Sequence, residues 1–279
     1  MTIGTNKELV VIRPPFPTNT IHILRLCLFQ PTRQPKMQEK TIETPYGKVR
    51  VSGKLGIPHL DVFEAICFSR EKKKEVDGRI KILVDPWEVK KRSRQMAGQT
   101  LDRIIEDLEK TIIEIKEPQR LACIGHLVDH VDTATNKEGK PILRPGKFGE
   151  REMWSVEIGK AFCKLLAGDI WVGYDPGRIT QLNLRYGISQ AVLRHALSHK
   201  TVPPGGWKID TLIMAAHGEK ISDALLKKSR ERIRTDAEKM SKIGVLVENG
   251  RVKLNKDKER DTKASWPDAK ASERDTQTK

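Results

Sequence analysis

Between positions 222 and 244 the chain sets Lys227, Lys228, Arg234, Thr235, Lys239 and Lys242 on one side of a helical repeat, with Glu231 and Glu238 among them. Leu226, Ile233, Ala237, Met240 and Gly244 recur on the other side. Ammonium and guanidinium groups on a helix face can donate hydrogen bonds to base edges and phosphate oxygens, and a carboxylate can accept from an exocyclic amine. This is recognition chemistry, in which no bond is made or broken. An ordinary surface helix has the same outline, so the neighbours matter. Residues 210–217 read as a short apolar helix, and residues 245–254 as two strands turning at Asn249-Gly250, the strongest short hairpin signal. Ser222 is placed to cap the long helix, Asp223 sits in its positive first turn, and Gly244 ends it. Helix, turn, helix and hairpin in that order make a winged helix, a fold that commonly binds DNA.

Bond-making chemistry is poorly supplied. Gly146-Lys147 and Gly159-Lys160 lack the Ser or Thr and the upstream glycine of a phosphate-binding loop, so ATP hydrolysis is not expected. His195 and His199 stand four apart on a helix without the glutamate of a zinc peptidase, which points to packing or phosphate contact. Cys123, His126 and His130 lack a fourth ligand, and on a strand Cys123 and His126 point to opposite faces. A DNA nickase would pair an active tyrosine with two histidines around an apolar residue. Only Tyr46, Tyr174 and Tyr186 occur, and that histidine pair is missing. No enzyme, metal or cofactor is expected.

The elements that must position these residues follow from local pattern. Residues 57–70 form an amphipathic helix, residues 79–84 a strand, and Asp85-Pro86 the capped start of a helix from Trp87 to about Arg94. Thr100 would then cap a longer helix running to about Glu117, with Leu101, Ile104, Ile105, Leu108, Ile112 and Ile115 as its core stripe. Residues 121–131 read as a strand, followed by a polar loop and a return strand at 154–158. A helix near 159–166 and a strand near 170–174 come next. Residues 186–200 form a helix and residues 207–209 a short strand. Both halves therefore run helix, strand, helix, helix, strand, strand. The expected fold is α+β, with two tandem winged-helix domains. Its boundaries are a basic, loosely structured arm at 1–45, domains at 46–158 and 179–255 joined by a linker at 159–178, and a disordered tail at 256–279. Within the arm, residues 21–29 could add an edge strand. The arm either tracks phosphates or is a solvated tail.

The 279 residues carry a formal net charge of +15, which calls for a polyanionic partner, nucleic acid first and an acidic membrane surface second. The four cysteines form no C-x-x-C pair, in keeping with reduced thiols in a cytosol. No apolar run approaches the roughly 20 residues that span a bilayer. A cytoplasmic protein without membrane attachment is expected.

Three stretches carry a family resemblance: RIKILVDPWEVKKRSR at 79–94, MWSVEIGKAFCKLLAGDIWVGYD at 153–175, and ITQLNLRYGISQAVLRHALSHK at 179–200, followed by WKIDTLIMAAHG. In order and spacing, over roughly residues 50–255, the chain resembles plasmid replication initiators of the Rep class, the TrfA/RepA-like branch with two winged helices. The resemblance implies a protein that binds directly repeated origin DNA, promotes origin opening and recruits host replication proteins such as a helicase. It implies base reading by the long helix at Lys227, Lys228, Glu231, Arg234 and Thr235, with Lys239, Lys242 and Arg251 on phosphates. For the N-terminal half it implies dimerisation, DNA contact or both. The acidic residues of the second helix there disfavour groove insertion, so dimerisation is the preferred role, with backbone contact left to Lys90, Lys91, Arg92 and Arg94. The alternative is a winged-helix transcription regulator on a palindromic operator, since a two-fold dimer imposes its symmetry on DNA. A protein-interaction scaffold with no DNA role is the reading from another class.

Overall fold

Two apolar cores form along the chain, one from the N-terminal half and one from residues 174–252, and Leu24 packs against both. The computed structural model describes residues 19–44, 47–69, 71–74, 79–116, 122–147, 149–159, 162–163, 171–172, 174–199 and 201–255. The N-terminal half begins with β1 (Asn19–Thr20) and α1 (Ile21–Arg25). The hairpin β2 (Gln38–Thr44) and β3 (Gly47–Gly53) follows, then α2 (Ile57–Cys67), β4 (Glu71–Lys74) and β5 (Ile80–Val84). Next come α3 (Pro86–Ser93), α4 (Gly98–Lys110), β6 (Ile112–Lys116) and β7 (Ala122–Gly125). β8 (Val128–Thr133), β9 (Leu143–Gly146), β10 (Gly149–Glu152) and β11 (Trp154–Ile158) complete it. Two antiparallel four-stranded sheets result, β2-β3-β6-β7 and β4-β5-β11-β8. α2 is buried along nearly its whole length against α3, α4 and β5, with Phe63 meeting Phe162 edge to face at 4.7 Å. His59 ties α2 to α4. Its Nδ1 accepts from the Gly56 N–H (3.2 Å), so Nε2 carries the proton and donates to Asp107 (3.0 Å).

The second core is assembled by α5 (Pro176–Gln181), α6 (Gly187–Leu197), β13 (Trp207–Lys208), α7 (Ile209–His217), α8 (Asp223–Ser241) and the hairpin β14 (Val245–Glu248) and β15 (Arg251–Leu254). The sheet order is β13-β15-β14, all antiparallel. Asn249 and Gly250 both take positive φ, 49° and 70°, as a tight hairpin turn of this twist requires. β12 (Trp171–Val172) pairs with β1. The mixed α+β class and the elements of the C-terminal half stand as read from the sequence.

Several expectations are corrected. Residues 19–44 are not a loose arm. Ile23, Leu26, Leu28 and Phe29 are buried in the first core or at the junction, and residues 21–25 are helical, not an edge strand. Prolines interrupt regular structure there without preventing burial. Residues 1–18 and 256–279 lie outside the described residues, as does most of the helix expected at 159–166. α4 starts after Ala97, not Thr100, and ends at Lys110. Thr111 Oγ1 donates back to the Asp107 carbonyl (2.6 Å), and the β-branched run after it pairs with β3, so Ile113 is buried while Ile112 faces out. The strand expected over 121–131 is two strands in different sheets. The shared element order does extend to strand pairing: β5-β11-β8 repeats the antiparallel β13-β15-β14 order of the second half, with β4 added beside β5 and the unexpected β6-β7 pair joined to β3 in the other sheet. α5 straddles the expected boundary between linker and second domain at 178/179, and Asp175-Pro176 repeats the Asp85-Pro86 start of α3, each aspartate accepting a backbone N–H two residues on.

The segment from Pro31 to Pro35 runs against the start of α6. A Cβ on Gly187 would stand 2.7 Å from the Thr32 backbone, which cannot retreat because the Ile57 N–H donates to the Thr32 carbonyl (3.0 Å). Gly187→Ala is expected to cost about 1–3 kcal/mol by overpacking, read as a lowered denaturation midpoint with unchanged slope.

Candidate nucleic-acid interface

α8 is fixed on three sides. Ser222 Oγ accepts from the Leu225 N–H (3.3 Å) at its start. Ile233 and Met240 are fully buried in the second core, and between them Asp236, also buried, accepts the backbone N–H groups of Arg185 (2.9 Å) and Tyr186 (3.1 Å) just before α6. Arg230 forms a two-pronged pair with Asp210 in the first turn of α7 (2.5 and 2.7 Å). That contact holds the Asp210 carboxyl below its usual range.

At about 100° per residue the buried positions 229, 233, 236 and 240 cluster on one side. Lys227, Lys228, Glu231, Arg234, Thr235 and Lys242 occupy the opposite, exposed arc. Thr235 Oγ1 donates to the Glu231 carbonyl (3.0 Å). Lys239 is turned inward, its Nζ donating to the Asn183 carbonyl (2.8 Å). Arg251 is partly buried beside the turn of the β14-β15 hairpin and donates to the Gly206 carbonyl (3.1 Å). Sequence reasoning missed Arg185 and Arg232, whose guanidinium groups lie 5.4 and 5.3 Å from the Tyr186 ring at the flank of this face.

In the N-terminal half, Lys90 is half-buried and Lys91 exposed on α3. Arg92 is a junction residue. It pairs with Asp175 (2.8 Å) and Glu88 (3.6 Å) and lies over the Phe68 ring at 4.4 Å, while its carbonyl accepts from the Thr180 hydroxyl. Arg94, in a left-handed conformation, donates to the Thr180 carbonyl (3.3 Å). That carbonyl also accepts the Asn183 N–H (3.1 Å), and the Asn183 carbonyl takes Lys239. The end of α3 and the middle of α8 therefore meet on one turn of chain.

The halves are locked by a buried charge cluster. Arg194 on α6, 1% exposed, donates from Nε to Glu64 Oε2 (2.9 Å), from Nη2 to Asp61 Oδ1 (2.5 Å) and from Nη1 to Gln190 Oε1 (2.9 Å). Glu64 Oε1 accepts from Asn19 (3.0 Å) and from the Tyr174 hydroxyl. Burial, only partly offset by Arg194 and reinforced by Glu64, pushes the Asp61 carboxyl up to about 6, and burial raises Tyr174 well above its normal value. The signal was present in the sequence: Asp61 and Glu64 interrupt an otherwise apolar helix, where carboxylates are rare unless paired.

The histidine decoys pack. His195, His199 and Trp207 stack in series at 5.2 and 5.1 Å, and burial holds both histidines near a pKa of about 4 and therefore neutral. His126 contacts the Thr111 carbonyl and His130 contacts Asp132. Among the described residues no cluster of three or more His, Cys, Asp or Glu is placed to hold a metal, and no helix is long and apolar enough to cross a membrane.

No family model and no curated protein sequence matches the chain. Its structure is similar to a crystal structure of domains 2 and 3 of RctB, with a TM-score of 0.50 and 12% identity, covering 87% of this chain and 96% of that one. At that identity the likeness is one of fold.

Two outcomes follow from the charge cluster. Arg194→Met, which strands two buried carboxylates, is expected to cost about 3–5 kcal/mol in chemical denaturation. For Asp61 the folded pKa lies above the unfolded one, so the folded state binds the extra proton and stability falls as pH rises from about 4 to about 6, then levels off. In Asp61→Asn, which has no proton to lose, that part of the slope is expected to vanish from denaturation midpoints measured across the same pH range.

Proposed function

We propose that this protein is a plasmid replication initiator that binds directly repeated origin DNA sequence-specifically through residues 179–255. The observation that carries the reading is the outward face of α8: Lys227, Lys228, Glu231, Arg234, Thr235 and Lys242 are all exposed, on a helix whose opposite side is buried and pinned. We read α6, β13, α7, α8 and the β14-β15 hairpin as a winged helix, with α8 as the helix that enters the major groove and Asn249-Gly250 at the tip of the wing. Lys or Arg there can donate to guanine O6 and N7, and Glu231 can accept from cytosine N4. Lys242 is assigned to phosphate. Lys239 and Arg251 reach phosphate only by giving up their backbone carbonyl partners. The fold likeness to domains 2 and 3 of RctB supports a replication-initiator-like fold, and the net charge of +15 supports a polyanionic partner.

In this reading α2, β5, α3, α4 and the strands β8 and β11 form an elaborated second winged helix whose preferred role is dimerisation, with Lys90 and Lys91 on the DNA backbone. Initiation needs no catalysis by the protein. Binding deforms the origin, and host replication proteins are recruited to it in the cytoplasm.

A footprint on DNA flanking the protein's own gene tests the proposal. Several evenly spaced protected direct repeats are the expected result, and one symmetric protected site would establish the regulator reading instead. Lys227→Glu with Lys228→Glu is expected to weaken binding by about a hundredfold, given roughly 1–3 kcal/mol per good contact. The log-log salt slope should become shallower by about 0.9 for each phosphate that the variant no longer neutralises. Unchanged affinity in this variant would remove α8 from the interface.

A further inference from the structure

α3 carries an aromatic side chain on the face it turns to water. The buried positions of this eight-residue helix are Val89 and Ser93. At about 100° per residue the opposite arc holds Trp87, Lys91, the C-cap Arg94 and Glu88, with Lys90 at its flank. Trp87 is 41% exposed, and Met96, in the turn that follows, is 53% exposed. A tryptophan brings a large apolar area whose burial is the usual reward for having it; here Lys91 and Arg94 share its face, Lys90 flanks it, the one carboxylate there, Glu88, is turned to Arg92 (3.6 Å), and much of the indole stays in solvent. The platform under it is rigid. Asp85 accepts the Trp87 backbone N–H (2.9 Å) and pairs with Arg151 (2.6 Å), Ser93 Oγ donates to the Val89 carbonyl (2.7 Å), and Arg92 is fixed across the junction. Arg94 commits one N–H to the Thr180 carbonyl.

We propose that the outward face of α3 binds single-stranded nucleic acid, with Trp87 stacking on one unpaired base and Lys90, Lys91 and Arg94 holding the flanking phosphates. A positive surface with an aromatic at its centre is the chemistry of single-strand binding, because every base has a face to stack and the phosphates supply the charge. Paired bases are stacked on each other and offer an indole no free face. A surface that only tracks duplex phosphates gains nothing from Trp87. The inference rests on the DNA-binding reading above and extends it: origin opening leaves a single strand close to the protein that opened it.

The test compares the full-length chain with Trp87→Ala and Trp87→Phe, by anisotropy of labelled oligo(dT) and of the duplex protected in the footprint. Trp87→Ala is expected to bind oligo(dT) about tenfold or more weakly, to bind the duplex within about twofold of wild type, and Trp87→Phe to recover most of the loss. Oligo(dT) should quench part of the tryptophan emission, and that part should be missing in Trp87→Phe. Equal oligo(dT) affinity in wild type and Trp87→Ala overturns the inference. Duplex binding without oligo(dT) binding also overturns it and leaves the α3 face to a protein partner. Binding of neither would instead sink the DNA-binding reading itself.

Discussion

A guanidinium buried between two halves of a chain organises this protein. Arg194 faces Asp61 and Glu64 of α2 from α6, and Glu64 in turn holds Tyr174 and Asn19. Desolvating these charges is expensive, and such a cluster seldom stabilises a fold more than apolar packing of the same volume would. Its contribution is geometric. Each N–H must find its own oxygen, so α6 meets α2 at one position, whereas a greasy contact would tolerate sliding. Two carboxylates against one guanidinium also leave an excess negative charge, and the Asp61 pKa is raised, chiefly by burial and further by the Glu64 charge.

The same constraint reaches the candidate interface. α6 carries Arg194 near its end, and its start is held to α8 by Asp236, so the long helix is oriented through α6 against the N-terminal half. The chain between α5 and α6 provides a second tie, gathering Arg94 from α3 and Lys239 from α8 on neighbouring carbonyls. Several cations that composition alone would assign to DNA are thereby used to hold the protein together. Arg92 is the clearest case, engaged with Asp175, Glu88 and Phe68.

The N-terminal segment fills the space between the halves. Arg25 donates to the Ser198 side chain and carbonyl (3.1 and 2.8 Å), at the C-terminal end of α6 where a cation is favoured. Cys27 donates to the Ala215 carbonyl (2.6 Å) and Arg33 to the Leu184 carbonyl (2.6 Å), while the Gln30 N–H donates to the Leu55 carbonyl (3.0 Å). A stretch rich in proline and arginine acts as mortar because its apolar residues fill the first core, Leu24 packs against both cores, and its polar groups reach carbonyls of the second half.

The sequence by itself determined the elements whose signals are local. The cap at Ser222, the buried stripe of α8 with its charged face, the Asn249-Gly250 turn and the Asp85-Pro86 start of α3 each depend on neighbours within a few residues, and all stand in the structure. What depends on distant partners was decided by the tertiary structure. Whether residues 112–116 continue a helix or join β3, whether residues 121–131 form one strand or two, and whether residues 19–44 fold all turn on segments far along the chain. The role of a cation is set the same way. Lys227 and Arg92 are both basic residues on a helix, but only a third dimension tells which of them has a carboxylate within reach.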